Sequence, residues 1–323
     1  MILITGGTGF LGKHIVRELL NEGHELRLLV RNAASRKLPD WAPMVEVVDG
    51  DILDVLSLEK AMEGIDQVVH AAAYVSFWRR EKYKILKINV QGTSNVVDAC
   101  LDAGVRQLVH VSSIAAIGIT ENGSPITENT PWSAGVRNSW YSKSKYKAEL
   151  EILRGIAEGL QAVMVNPSVI LGPDDQWENG TPKMFSIVDK GLRFYNPGAN
   201  GFVAAQDVAK AISLLLNTEE ENGSRYLLSA ENLSFKQIFG WIAEDLGKKP
   251  PSMRLPEYPT LWVGRLSELL SRITGKPPII SLESMRSAML SRSYDGSKVQ
   301  GLGLEYSSIR KLLKETAEAY GAS

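Results

Sequence analysis

The chain has 323 residues, which exceeds one typical domain and predicts either two domains or one large domain with an additional lobe. Its net charge of −1 argues against nucleic acid or an anionic membrane surface as a partner. The single cysteine, Cys100, excludes an internal disulfide, and the first apolar run begins almost at Met1, so we expect no signal peptide and a cytoplasmic protein. The four histidines are scattered without the spacing of metal ligands, and no metal site is predicted.

The N-terminal residues have the pattern of a strand, a glycine-rich turn and a helix. Residues 2–4 are a short apolar run typical of a buried parallel strand, and residues 10–21 form an amphipathic stretch. Between them glycine recurs every third residue, at Gly6, Gly9 and Gly12. The first glycine allows a tight turn, the second leaves room for a pyrophosphate at the helix N-terminus, and the third lets the helix approach the strand. This context predicts a dinucleotide-binding turn, and a glycine-rich turn without a ligand is the alternative.

Strand and helix patterns then alternate as far as residue 166. Further strands are predicted at residues 25–30, 45–48, 67–71, 107–111 and 161–165, and helices at residues 53–62, 83–103 and 140–158. This alternation predicts a parallel sheet covered on both faces and joined by right-handed crossovers.

Beyond Pro167, loop signals interrupt the alternation before helices at residues 206–216 and 234–246 and a strand at residues 225–229. We therefore predict an α/β, Rossmann-type doubly wound parallel sheet in residues 1–166. Residues 167–323 form a smaller C-terminal substrate lobe, with some segments returning to complete the sheet. A ligand is expected in the crevice between the lobe and the carboxyl ends of the strands.

Tyr141 and Lys145 are four residues apart in a predicted helix, so their side chains lie on one face. A free tyrosine has a pKa of about 10 and is a poor base at neutral pH. A nearby ammonium favours the phenolate, and so does the positive nicotinamide ring of an oxidised cofactor. Such a tyrosine can exchange a proton with an alcohol oxygen while hydride moves on carbon. A surface Tyr/Lys pair is the alternative, but the dinucleotide-binding turn and Ser113 at a strand end favour catalysis.

The end of the second predicted strand bears on the choice between NAD and NADP. A fold that prefers NAD usually has Asp or Glu about 20 residues beyond the glycines, whereas this strand ends in Arg31. A planar guanidinium can bind the 2′-phosphate of NADP, although a solvated strand-end charge is the alternative. Asp51 is predicted to meet the adenine amino group, with Ile52 against the ring. The sequence thus predicts NADP (NADPH) as the cofactor, with NAD as the alternative.

Several motifs follow one another in a fixed order: TGGTGFLG at residues 5–12, HAAA at 70–73, NVQGT at 89–93, VSS at 111–113 and YSKSK at 141–145. Residues 167–173, 202–209 and 294–298 extend the pattern over nearly the whole chain. In this combination the chain resembles an extended short-chain dehydrogenase/reductase of the NAD-dependent epimerase/dehydratase superfamily. It is most similar to the branch of dihydroflavonol 4-reductases and 3β-hydroxysteroid dehydrogenases.

The resemblance implies a catalytic triad of Ser113, Tyr141 and Lys145. Tyr141 is then the general acid/base, Ser113, rather than the adjacent Ser112, hydrogen-bonds the substrate oxygen, and Lys145 holds the nicotinamide ribose and tunes Tyr141. Besides Tyr141, Lys145, Arg31, Asp51 and Ile52, the implied cofactor contacts are Gly6, Thr8, Gly9, Phe10, Leu11, Ala71, Ala72, Ala73, Val111, Pro167, Ser168 and Val169. The chain departs from many relatives by having Asn166, not arginine, before Pro167, which weakens a sugar-nucleotide assignment.

We predict an NADP-dependent oxidoreductase that interconverts a ketone and a secondary alcohol on an apolar small molecule. An NAD-dependent nucleotide-sugar epimerase or dehydratase is one alternative, although Lys183, Arg193 and Arg225 form no clear cluster for a diphosphate. A nucleotide-sensing binding protein without turnover is the other, and the retained triad argues against it. The resemblance also implies a homodimer in which the helices at residues 83–103 and 140–158 pair with their symmetry mates.

Overall fold

The computed structural model of the chain describes residues 1–35, 38–120, 123–133, 138–174, 176–178, 180–218, 220–256 and 289–322. Its strands are β1 (Ile2–Thr5), β2 (Leu26–Val30), β3 (Glu46–Asp49), β4 (Gln67–His70), β5 (Gln107–Val111), β6 (Ala162–Pro167), β7 (Val169–Leu171), β8 (Phe194–Tyr195), β9 (Ala199–Ala204), β10 (Arg225–Leu228), β11 (Glu231–Ser234) and β12 (Met253–Arg254). Its helices are α1 (Phe10–Asn21), α2 (Val55–Met62), α3 (Lys82–Leu86), α4 (Gly92–Asp102), α5 (Trp140–Ala157), α6 (Lys183–Asp189), α7 (Ala205–Asn217), α8 (Phe235–Asp245) and α9 (Ile309–Gly321).

Within the described residues, the central sheet has seven strands in the order β10-β6-β5-β4-β1-β2-β3. Every neighbouring pair is parallel. The chain builds outward from β1 in one direction through β2 and β3 and in the other through β4, β5 and β6. The order therefore reverses between β1 and β4, which is where a doubly wound sheet is expected to bind its ligand, at the carboxyl ends of the strands. The predicted doubly wound α/β fold is confirmed.

Alternating side chains of the strands supply two separate cores, one on each face of the sheet. Ile4 points to the face covered by α1 and α7, whereas Leu3 points to the face covered by α2, α4 and α5. Buried side chains from the helices complete the two layers, chiefly Ile15, Leu19, Ile212 and Leu215 on the first face and Leu58, Val96, Val97 and Ile152 on the second.

The part of the chain after β6 contributes to two structures. A second sheet has the order β11-β9-β7 and packs with α6, α8 and α9 around a core that includes Phe185, Phe202 and Ile238. In contrast, β10 pairs with β6 in the central sheet, and α7 packs against α1. Helix α6 was not predicted, because loop signals interrupt residues 172–198. The strands β7, β8, β9, β11 and β12 and the helix α9 were not predicted either.

The helix predicted at residues 83–103 is interrupted. The structure has α3, a π-helical turn at Lys87–Gln91, and then α4. The wider turn carries Asn89, whose Oδ1 accepts from the Tyr74 N–H at 2.7 Å and whose Nδ2 donates to the Tyr74 carbonyl at 3.0 Å. Asn89 Nδ2 also donates to Ser144 Oγ of α5 at 2.9 Å. The interruption thus fixes the segment after β4 and joins it to α5.

No helix in the described ranges is long and apolar enough to span a membrane. In the same residues, no group of three or more His, Cys, Asp and Glu side chains is placed to hold a metal ion. Cys100 is fully buried, and burial raises the pKa of its thiol to about 12.

Candidate active site

The glycines of the first turn are required for two different reasons. Gly6 has φ +77°, and a Cβ there would lie 2.6 Å from the Ala72 nitrogen. A Cβ on Gly12 would lie 2.1 Å from the Gly6 oxygen, so both glycines are required by the packing of the backbone itself. Gly9 is exposed, has φ −78°, and its Cβ would meet only the Gly6 oxygen at 3.3 Å. The space above Gly9, at the N-terminus of α1, therefore fits a phosphate group.

The structure places the predicted cofactor contacts along one edge of the central sheet. Carboxyl ends of parallel strands meet at the same edge, and each contact follows or ends a strand. They are Thr8, Gly9, Phe10 and Leu11 after β1, Ala71, Ala72 and Ala73 after β4, Val111 at the end of β5, and Pro167, Ser168 and Val169 at and after the end of β6. Ser168 is buried, and its Oγ has no hydrogen-bond partner among the described residues, which suits a polar ligand at this position.

Arg31 and Asp51 come together at the outer end of this edge. They follow the neighbouring strands β2 and β3, and Arg31 Nη1 lies 3.8 Å from Asp51 Oδ2. The Arg31 side chain is 62% exposed, so the ion pair is weak and the guanidinium can turn toward a phosphate at little cost. Ile52 is buried, and its Cδ1 would lie 2.5 Å from a Cβ on Gly92.

The three predicted catalytic residues meet where β5 ends and α5 begins. Ser139 caps α5 by accepting from the Ser142 N–H at 2.9 Å, and the first two turns of the helix carry Tyr141 and Lys145. A hydrogen bond joins the side chains of Ser113 and Tyr141. Lys145 Nζ donates to the Val111 carbonyl at 2.7 Å, directly beside them.

The electrostatics of this group differ from the sequence-based expectation. Burial raises the pKa of Tyr141, and the hydrogen bond from Ser113 only opposes this. Burial lowers the pKa of Lys145 to about 8, against the charge of Glu149. The pKa of Tyr141 is therefore raised in the chain itself, and its predicted lowering by Lys145 together with an oxidised nicotinamide ring stays a prediction. The phenol is held protonated and is ready to act as an acid.

Glu149 was missed by the sequence analysis, although it lies one helical turn beyond Lys145 on α5. Its carboxylate is fully buried. Ser112 Oγ donates to Glu149 Oε1 at 2.5 Å, Asn166 Nδ2 donates to the same oxygen at 2.6 Å, and Arg225 Nη2 lies 2.8 Å from Oε2. The two adjacent serines are thus separated in role, with Ser112 turned to Glu149 and Ser113 to Tyr141.

An apolar edge flanks Tyr141, the predicted catalytic tyrosine. The Phe77 ring meets the Tyr141 ring edge-on, with centroids 5.8 Å apart and planes at 66°. Glu81 fixes this segment, because its Oε1 accepts from Tyr74 Oη at 2.7 Å and its Oε2 accepts from Ser76 Oγ at 2.5 Å. Phe77 and the neighbouring Val75 are both exposed, so they offer apolar surface beside Tyr141.

Comparison with known proteins identifies the family. The sequence profile of the NAD dependent epimerase/dehydratase family matches residues 2–228. The chain belongs to this family. It is 32% identical to a Synechocystis sp. protein provisionally named dihydroflavonol 4-reductase, over 97% of this chain and 92% of that protein.

Solved structures share the fold of this chain. The crystal structure of gox2253 is 31% identical, covers 100% of this chain and 98% of its own, and has a TM-score of 0.84. The Thermus thermophilus UDP-glucose 4-epimerase, solved with NAD, shares the fold at 24% identity and a TM-score of 0.77, covering 100% and 99% of the two chains. The family resemblance is confirmed, and the chain is an NAD(P)-dependent oxidoreductase of the extended short-chain type.

Proposed function

We propose that this enzyme is an NADPH-dependent reductase that converts a ketone on an apolar small molecule to a secondary alcohol, and catalyses the reverse reaction with NADP⁺. The observation that carries the proposal is the Tyr141 phenol, which burial keeps protonated, which bonds to Ser113, and which stands beside the apolar edge at Phe77. A ketone oxygen placed between the two hydroxyls accepts hydrogen bonds from both.

In the proposed reaction the nicotinamide cofactor, when bound, supplies the hydride. The chain's own residues handle the oxygen of the substrate. Ser113 donates a hydrogen bond to the carbonyl and polarises it, and Tyr141 donates its proton as negative charge develops on that oxygen. Lys145, whose Nζ lies 2.7 Å from the Val111 carbonyl, is the group proposed to hold the nicotinamide ribose.

The nature of the exposed side chains favours an apolar substrate over a nucleotide sugar. Val75 and Phe77 present apolar surface next to Tyr141. Arg225, one of the basic residues available for a substrate diphosphate, is paired with the buried Glu149. The sugar-nucleotide alternative thereby loses a candidate cation, in keeping with Asn166 at the position where many relatives have arginine.

Steady-state kinetics tests this proposal. NADPH oxidation should be observed with a panel of flavonoid, steroid and aryl ketones, and no interconversion should be seen with UDP- or dTDP-sugars. Turnover of a nucleotide sugar without net cofactor oxidation would identify the epimerase or dehydratase alternative. Tight cofactor binding without turnover of any substrate would support the nucleotide-sensing alternative.

We propose that Arg31 gives the preference for NADPH. Its side chain is 62% exposed and loosely paired with Asp51, so it can bind the 2′-phosphate. Arg31→Ala should weaken NADPH binding roughly 10- to 100-fold, the loss expected for charge-assisted hydrogen bonds, and leave NADH binding unchanged. Dissociation constants from cofactor fluorescence measure both.

Arg106→Ala is the matched control for Arg31→Ala. Arg106 is also an exposed arginine paired with an aspartate, Asp66, but it precedes β5 and so lies at the opposite edge of the sheet. Its removal should leave both dissociation constants unchanged. Equal affinity of the unaltered enzyme for NADPH and NADH would contradict the role of Arg31.

We propose that the enzyme is a homodimer formed through α4 and α5. Leu150 and Leu153 are exposed on α5, which packs beside α4 and forms an ion pair with it between Arg154 and Asp98. Light scattering should give twice the 35.5 kDa mass of the chain. Leu150→Arg should yield the monomer, whereas Leu56→Arg, on the exposed face of α2, should not. A monomer at micromolar concentration would contradict this assembly.

A further inference from the structure

Glu149 forms the centre of a buried polar cluster in which each partner comes from a different strand. Ser112 follows β5, Asn166 lies in β6 and Arg225 lies in β10, and these three strands are neighbours in the sheet. A buried carboxylate is costly unless it is paired and hydrogen-bonded, and here Oε1 accepts two hydrogen bonds while Oε2 faces the guanidinium. The cluster ties α5 to three adjacent strands.

The same cluster surrounds the segment that carries Ser113. Ser112 is held by Glu149, and Asn166 Nδ2 donates both to Glu149 and, at 3.0 Å, to the Ser113 carbonyl. On the other side, the Val111 carbonyl accepts from Lys145 Nζ. Residues 111–113 are therefore fixed by Lys145 at one end and by Glu149 and Asn166 at the other.

Glu149 also affects the pKa of Lys145. Burial lowers the pKa of Lys145, and Glu149 is the group that raises it. Among the described residues, His70 and His110 from β4 and β5 interact electrostatically with this ammonium, and Tyr141 lies four residues before it on the same helix. Burial lowers the pKa of His70 to about 3 and lowers that of His110 well below its usual value, which disfavours the charged form of both rings.

We propose that Glu149 is a positioning residue of this active site, and that Arg225 is its counter-ion. It holds Ser113 in place through Ser112 and Asn166 and keeps Lys145 protonated from one helical turn away. This role of Glu149 rests on the proposed function only in taking Ser113, Tyr141 and Lys145 as the catalytic residues.

The test compares the pH dependence of NADPH binding in two variants, because binding can be measured whether or not a ketone is turned over. Glu149→Gln should move the alkaline loss of affinity to lower pH by about one unit, since Lys145 loses the charge that retains its proton. Arg225→Met should move the alkaline loss of affinity to higher pH. The Glu149 carboxylate then lacks its counter-ion and stabilises the protonated form of Lys145 more strongly. Where a ketone substrate is found, kcat should fall at least tenfold in Glu149→Gln with the same displaced alkaline limb.

Glu151→Gln is the control, since Glu151 lies on the same helix and pairs with Arg154 on its outer side. Glu151→Gln should change neither the pH dependence of NADPH binding nor that of kcat.

If Glu149→Gln does not fold, judged by circular dichroism, the double variant Glu149→Gln/Arg225→Met removes both charges together and should still show the shift to lower pH. A folded Glu149→Gln or double variant with an unmoved alkaline limb, or single variants that shift in the same direction, would overturn the proposal. Absence of ketone turnover in the unaltered enzyme would instead overturn the proposed reductase activity alone.

Discussion

Replacing Tyr141 with phenylalanine is expected to lower kcat by about 10²- to 10⁴-fold while NADPH binds almost as before. The substitution removes the hydroxyl that bonds to Ser113 and donates the proton, but it keeps the ring that packs against Phe77. The fold and the apolar edge should therefore be preserved. Initial rates with saturating NADPH, together with cofactor binding by fluorescence, separate the loss of a proton donor from the loss of a binding contact.

Tyr146→Phe provides the control for this result. Tyr146 lies on the same helix, but its ring stacks on Trp132 with centroids 4.5 Å apart and planes at 6°. Loss of its hydroxyl should leave kcat unchanged. Full activity of Tyr141→Phe would remove Tyr141 from the mechanism, and an equal loss in both variants would point to damage of α5.

Replacing Lys145 with methionine is expected to reduce both turnover and cofactor affinity. Methionine is an unbranched side chain that fits the buried position, yet it cannot donate to the Val111 carbonyl or to a ribose hydroxyl. Loss of one preorganised donor commonly costs about 10²- to 10³-fold in kcat. Loss of the ribose contact should weaken NADPH binding roughly tenfold or more, because hydrogen bonds from charged groups are the stronger ones.

Lys143→Met tests whether these effects are specific to the buried lysine. Lys143 is on the same turn of α5, and its ammonium lies 4.9 Å from the centre of the Trp140 ring. Both kcat and the NADPH dissociation constant should be unaffected by its loss. If Lys145→Met lowered kcat without changing the dissociation constant, the proposed ribose contact would be excluded.

The elements of the central sheet were predictable because short apolar runs and glycine turns mark them without reference to distant residues. The helix at residues 10–21 and the strand at residues 107–111 have the predicted bounds. The strand β9 was not predictable, since Asn200 and Gly201 within it favour turns in isolation. Gly201 is required there by tertiary packing, because a Cβ would lie 2.3 Å from Ser229 Oγ.

The candidate site was predictable in its residues but not in its electrostatics. Helical spacing and motif order brought out Ser113, Tyr141 and Lys145. The direction of the Tyr141 pKa depends on its burial, which residue spacing does not encode. The Glu149–Arg225 pair is formed by the pairing of β10 with β6, which local periodicity does not reveal.

The return of α7 and β10 to the central sheet governs how the chain can fold while it is being synthesised. Until β10 has emerged from the ribosome, β6 presents an unpaired edge, which is a template for wrong pairing. Until α7 has emerged, the apolar face of α1 lacks its partner, and the Gln67 and Gln107 amides lack the carbonyls of Leu216 and Leu215. Residues 1–204 cannot complete this core on their own, so we expect the nascent chain to expose the β6 edge and the apolar face of α1 until residues 205–228 have been made.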